Sequence, residues 1–133
     1  MFHAVLEVRS SSREELRDIT PEVSAAVRES GASDGIVTLF VPHTTAAVTV
    51  NENVDPDVRS DMIGWLARLV PRDAPFRHAE GNSDAHLKAS LVGPSVQIPL
   101  VSGQLRLGTW QGIYFCEFDG PRPRQIEVLI TSG

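Results

Sequence analysis

Two short β-branched runs constrain this chain more than any other feature. Gly35 opens Ile36-Val37-Thr38-Leu39-Phe40-Val41, a nearly continuous apolar run that predicts a strand covered on both faces. Pro42-His43-Thr44-Thr45 follows at once, and a second run then delivers Asn51-Glu52-Asn53 just before a helix start. In that second run Val48 and Val50 share one face, with Thr45, Ala47, Thr49 and Asn51 on the other. Neither run needs these polar residues for packing. Polar side chains held at the ends of rigid strands are the pattern of a site.

The flanking segments read in the same terms. Phe2, Ala4, Leu6 and Val8 alternate with His3, Val5, Glu7 and Arg9, which predicts a half-buried strand. Ser10 to Asp18 is polar and starts no apolar stripe. Thr20 as N-cap, Pro21 and Glu22 open a first helix that Gly31 stops. Asp55 and Pro56 open a second, with Val58, Met62, Leu66 and Leu69 as its buried stripe and Trp65 packing beside it, ending before Pro71. Residues 71 to 82 are irregular, and a short third helix runs from Asn82 or Ser83 to Gly93-Pro94, with Leu87 and Leu91 as its buried pair. Val96, Ile98 and Leu100, a Ser102-Gly103 turn, and Leu105 and Leu107 predict a hairpin. Ile113 to Phe118 form a further strand, and Asp119-Gly120-Pro121 turns into a last strand with Ile126, Val128 and Ile130 inward. Without regular β-α-β alternation, the expected class is α+β: one domain over residues 1–133, with a mostly antiparallel, sandwich-like sheet and about three helices packed on it.

Composition narrows the function. Hydrophobic residues at 41% against 22% charged exclude a disordered chain. A net charge of −5 with no basic cluster argues against nucleic acid, and Arg122-Pro123-Arg124 reads as a charged turn. The first charge comes too early for a signal-peptide core, and no apolar run approaches a membrane span, so the expectation is a cytoplasmic protein with no membrane partner. Cys116, the one cysteine, lies between aromatics and reads as a buried, inert thiol.

Of the four histidines, His3 shares a strand face with Glu7 and Arg9 and is expected in solvent. His43 follows a strand directly, and His78 and His86 bracket a polar segment holding Glu80, Gly81 and Asn82. Three imidazoles with an open position can hold a catalytic divalent metal, with Glu80 and Asn82 as supporting acceptors; hydrogen-bonded structural histidines are the competing reading. Asn51-Glu52-Asn53 either orients the helix that follows or forms a phosphate-facing wall in which Glu52 carries the proton. Gly108-Thr109-Trp110-Gln111-Gly112 places glycines around a large aromatic, and Trp110 either packs or covers a ligand. No glycine-rich phosphate loop is present, and few basic residues lie near these motifs.

Pro42-His43-Thr44-Thr45-Ala46, Asn51-Glu52-Asn53, the His78-to-His86 segment and Gly108-Thr109-Trp110-Gln111 together resemble the YjbQ-like family, whose members are often labelled secondary thiamine-phosphate synthases. The resemblance runs over essentially the whole chain. It implies a β-rich α+β subunit, a homotrimer with sites near subunit boundaries, and a divalent metal on His43, His78 and His86, with zinc first and magnesium in company with a phosphorylated substrate. It also implies an activity that joins a hydroxymethylpyrimidine diphosphate to a hydroxyethylthiazole phosphate and releases pyrophosphate. Such chemistry would assign Glu52 and Glu80 to proton transfer, and Thr44, Thr45, Asn51, Asn82, Trp110 and Gln111 to the small phosphorylated substrate. A metal-dependent hydrolase and a non-catalytic ligand-binding trimer are the alternatives.

Overall fold

The computed structural model describes all residues from Met1 to Gly133. Eight strands and three helices follow in the order β1 (Phe2–Arg9), β2 (Glu15–Asp18), α1 (Thr20–Ser30), β3 (Gly35–Phe40), β4 (Ala46–Glu52), α2 (Pro56–Leu69), α3 (Ser83–Val92), β5 (Ser95–Val101), β6 (Gln104–Leu105), β7 (Gln111–Glu117) and β8 (Pro123–Ser132). The class is α+β, as expected. The strands form two antiparallel sheets, one in the order β1-β8-β3-β5-β6 and one in the order β2-β7-β4.

Alternation explains the layering. Ile126, Val128 and Ile130 of β8, Val37 and Leu39 of β3, and Ile98 and Leu100 of β5 face Ala46 and Val48 of β4 and Ile113 and Phe115 of β7 across the main core. Val23, Ala26 and Val27 of α1 join the same cluster. The opposite face of the small sheet buries Ala47, Tyr114, Cys116 and Phe118 with Ala85 and Ala89 of α3, and Met62, Ile63 and Leu66 of α2 pack partly against them. β4 and β7 therefore carry apolar residues on both faces because both strands are covered on each side. Cys116 is buried there, and burial pushes its thiol up to about 12, so it stays protonated and inert.

Several expectations need correction. β3 is covered on one face only: Ile36 and Phe40 point outward and stay exposed, since no layer packs outside the large sheet. The polar stretch before Asp18 yields strand β2, held at the sheet edge through Glu15–Asp18 opposite Tyr114–Glu117. Thr20 does not cap α1 with its side chain. Its hydroxyl accepts from Ile113 N–H at 2.8 Å, and Asp18 Oδ1 takes the Thr20 N–H at 2.9 Å. Asp55 does cap α2, accepting from Asp57 N–H at 2.9 Å. Yet no residue of α2 is fully buried, and Trp65 and Leu69 are among the exposed residues.

The face of α3 is also reversed from expectation. Leu87 and Leu91 are exposed, while Asp84 and Lys88 are buried with Ala85 and Ala89. The cause is distant in sequence. Arg13 grips Asp84 with both guanidinium nitrogens (3.1 and 2.9 Å), Lys88 Nζ donates to Asp84 at 3.0 Å, and Glu14 accepts from Lys88 on its other side. Four charges that neutralise one another can enter where single ones could not. Burial opposes the ionised Asp84, but Arg13 and Lys88 outweigh it and hold the carboxyl below its usual range.

Candidate functional site

The polar residues around Pro42–Thr45 meet two other segments at one end of β4. Pro42 ends the β3 ladder because it has no N–H to give, and the chain turns across toward β4. There it lies beside the corner between β7 and β8, which supplies Asp119, Arg122 and Arg124, and beside the start of α3, which supplies Glu80, Asn82 and His86. The cleft between them encloses about 400 Å³ and has no hydrophobic residue in its lining, which also includes Pro42, His43, Thr44 and Thr45.

Arg124 is buried and anchors this corner. It bonds both oxygens of Glu117 through Nε and a terminal nitrogen, and donates to Thr45 Oγ1 at 2.8 Å. Glu117 also accepts from Ser10 Oγ at 2.6 Å and from Asp119 N–H at 3.0 Å. Burial works against its charge, but Arg124, Ser10 and the Asp119 amide more than offset this and lower its pKa. Arg122 spends two N–H groups on Asp119, at 2.8 Å to the carbonyl and 3.2 Å to the carboxylate, and leaves the rest of its fork free for a ligand. Asn82 donates to Asp119 at 2.9 Å, while its Oδ1 is buried with no partner.

His43 is half-buried, and its Nε2 lies 2.9 Å from the backbone N–H of Gln125. Burial lowers its pKa, helped by the positive charge of Arg124 and Arg122. His86 lines the same cleft and also a second, more apolar one with Phe76, Arg77, His78, Ser83 and Leu87. The rings of His78 and His86 meet edge to face with centroids 5.7 Å apart, and His78 Nε2 lies 3.6 Å from Glu80. His43 and His86 thus share one cleft, and His78 stands on the far side of His86. No group of three or more His, Cys, Asp or Glu side chains in the chain is arranged to hold a metal ion. His3 is solvent-exposed as expected, paired with Glu127 at 2.8 Å.

The remaining motif residues lie elsewhere. β4 and β7 pair along their whole length, so Asn51 and Glu52 fall opposite Gly112 and Gln111 at the other end of the strand pair. Seven residues of strand put that end roughly 20 Å from Thr45. Its polar groups are used locally: Asn51 Oδ1 accepts from Glu52 N–H (2.7 Å), Glu52 Oε2 from Val54 N–H (3.0 Å), and Gln111 Oε1 from Gly108 N–H (2.7 Å). Asn53 bonds Asp18 at 3.1 Å, and Tyr114 donates to the Glu52 carbonyl at 2.8 Å. Trp110 is exposed beside them, 61% accessible, so it does not pack in the core.

Sequence reasoning missed Arg122, Arg124 and Asp119. The Arg-Pro-Arg triplet was the available signal, but read alone it is a turn. A separate groove between α1 and the β5–β6 hairpin, lined by Ser24, Arg28 and Gln104 among others, contains none of the motif residues.

The comparisons agree with this fold and with the resemblance. The model of the family described as UPF0047 protein YjbQ-like matches residues 4–133. The chain is 53% identical to a UPF0047 protein of Methanocaldococcus jannaschii over 95% of its own length and 91% of that protein's. It is 49% identical to UPF0047 protein YugU of Bacillus subtilis over 96% and 97%. Among solved structures, a YjbQ/UPF0047 protein of Clostridium acetobutylicum, described as uncharacterized, superposes with a TM-score of 0.94 at 51% identity over 96% of this chain and 99% of that one. A hypothetical protein of Aeropyrum pernix K1 superposes at 0.96, with 36% identity over the full length of both. No helix of the chain is long and apolar enough to cross a membrane. The chain belongs to the YjbQ-like UPF0047 family.

Proposed function

We propose that the chain is an enzyme acting on a small phosphorylated substrate in the cleft between His43, His86 and Arg122, with coupling of a pyrimidine diphosphate to a thiazole phosphate as the reaction to test first. One observation carries this reading: beside the carboxylates of Glu80 and Asp119 the cleft gathers two imidazoles, two arginines, two threonines and an asparagine, and no hydrophobic residue. Directed N–H and O–H donors in a fixed frame are what phosphate oxygens require. Arg122 has donors to spare, and Thr44 is exposed at the mouth.

The arginines are not a simple positive patch. Glu117 neutralises Arg124, and Asp119 partly neutralises Arg122. A substrate carrying a diphosphate would bring more negative charge than the cleft offsets, and a divalent ion arriving with it would make up the difference. His78, His86 and Glu80 lie close together but do not by themselves form a metal site, so an ion resident on the protein would need further ligands beside them. In the coupling reaction the pyrophosphate leaves and charge builds on its oxygens. Arg122 and Thr44 are placed to stabilise that charge, and His86 or Glu80 to manage the proton. The exposed residues Trp65 and Leu69 of α2, Leu87 and Leu91 of α3, and Trp110 support association of subunits, for which a homotrimer is our reading.

The test supplies the pyrimidine diphosphate with and without the thiazole phosphate and measures both thiamine phosphate and pyrophosphate. Coupled product, reduced about 100-fold by His86→Ala, supports the synthase. Pyrophosphate release by water alone identifies a hydrolase. Binding of substrate without either product makes the protein a ligand-binding module.

A further inference from the structure

The backbone around His43 determines which ring nitrogen carries its proton. The last rung between β3 and β8 pairs Phe40 with Glu127. Beyond it the chain leaves at Pro42, and Gln125, two residues before Glu127, would face an empty position with its N–H. The His43 ring fills that position, with Nε2 at 2.9 Å from the Gln125 nitrogen. A backbone amide can only donate, so Nε2 must present its lone pair. A neutral imidazole has one lone pair in the ring plane, and here it is committed. The hydrogen therefore sits on Nδ1.

From this we infer that His43 is a neutral Nδ1–H donor that binds an oxyanion of the ligand in the cleft, and that it is not a metal ligand. The inference rests on the reading of the cleft as a phosphate site. A metal requires a lone pair. Nε2 has given its own to Gln125, and Nδ1 has none without full deprotonation of the ring. Exchanging tautomers would set N–H against N–H and leave the Gln125 amide without an acceptor, which disfavours that state roughly tenfold or more. Because the ring lines the cleft beside Thr44, Arg122 and Arg124, Nδ1–H is the polar group it has left to offer there. His43 thus complements the two arginines, both already tied to carboxylates, with a donor that carries no charge to neutralise.

Long-range ¹H–¹⁵N correlation spectra of the intact protein labelled with ¹⁵N-histidine test this, with His43→Asn as the assignment control. At neutral pH His43 is expected to show a protonated Nδ1 and an unprotonated Nε2. Inorganic phosphate should then shift Nδ1–H while leaving Nε2 in place, and zinc alone should perturb His78 and His86 but not His43. A protonated Nε2, or zinc bound at either nitrogen of His43, overturns the inference. Phosphate that shifts His86 but not His43 overturns its donor role and spares the phosphate site. Phosphate that shifts neither imidazole removes both the donor role and the phosphate reading, even if the tautomer is as stated.

Discussion

Arg122 and Arg124 are two residues apart and do different work. Arg124 is buried and holds Glu117 and Thr45 in place, while Arg122 has half of its side chain in solvent at the mouth of the cleft. Arg122→Ala should therefore lower turnover on a phosphorylated substrate by about 100-fold, as loss of one directed donor to developing charge does. Its unfolding free energy should stay within about 0.5 kcal/mol of the parent, as for other surface changes. Steady-state kinetics beside urea denaturation would check both halves. Gly112 marks the opposite case, where only the backbone matters. A side-chain carbon there would overlap the side-chain amide of Asn53, which is fixed by its bond to Asp18, while the Asn53 backbone N–H is held by the Trp110 carbonyl. Gly112→Ala should cost about 1–3 kcal/mol, read from the same denaturation curves, with no direct effect on the cleft.

At the scale of elements, α3 links stability to the site. Its buried Asp84 and Lys88 sit one turn or less from His86, so the ion network with Arg13 and Glu14 also sets where that imidazole stands. Lys88→Met leaves Asp84 with Arg13 alone, and we expect a loss of about 3–5 kcal/mol by chemical denaturation. This helix also shows where reading the sequence stops. Its ends were legible, because Asn82, Ser83 and Gly93 punctuate the chain. Its buried face was not, because Arg13 and Glu14 lie some seventy residues away and make the polar face the inner one. β4 behaved likewise. Both strand ends were visibly polar, but only the pairing with β7 shows that they lie at opposite ends of the strand pair, with His43 and Glu52 apart. The Arg122-Pro123-Arg124 triplet gained its meaning only when the β7–β8 corner was folded against Thr45.

For the molecule as a whole, three carboxylates tie stability to pH. Glu117, Asp84 and Asp18 all lie below their ordinary range: burial opposes the charge in each, and hydrogen bonds from Arg124, from Arg13 and from Thr20, respectively, exceed it. Unfolded, these groups titrate near about pH 4. The unfolded chain therefore takes up protons first as pH falls, so their stabilisation is complete above about pH 4 and is lost as pH drops through the folded values. His43, also depressed, begins the same loss below about pH 6.5. Urea midpoints measured from pH 7 to 2 should fall monotonically, most steeply below pH 4. The proposed site lies at the His43 end of the paired strands β4 and β7. Titrating the ¹⁵N-labelled protein with inorganic pyrophosphate while following its amide shifts tests this placement. Saturable shifts are expected to gather at Thr44, Thr45, Asn82, His86 and Arg122. Shifts confined to Asn51, Glu52, Trp110 and Gln111, with the His43 end unmoved, would contradict it.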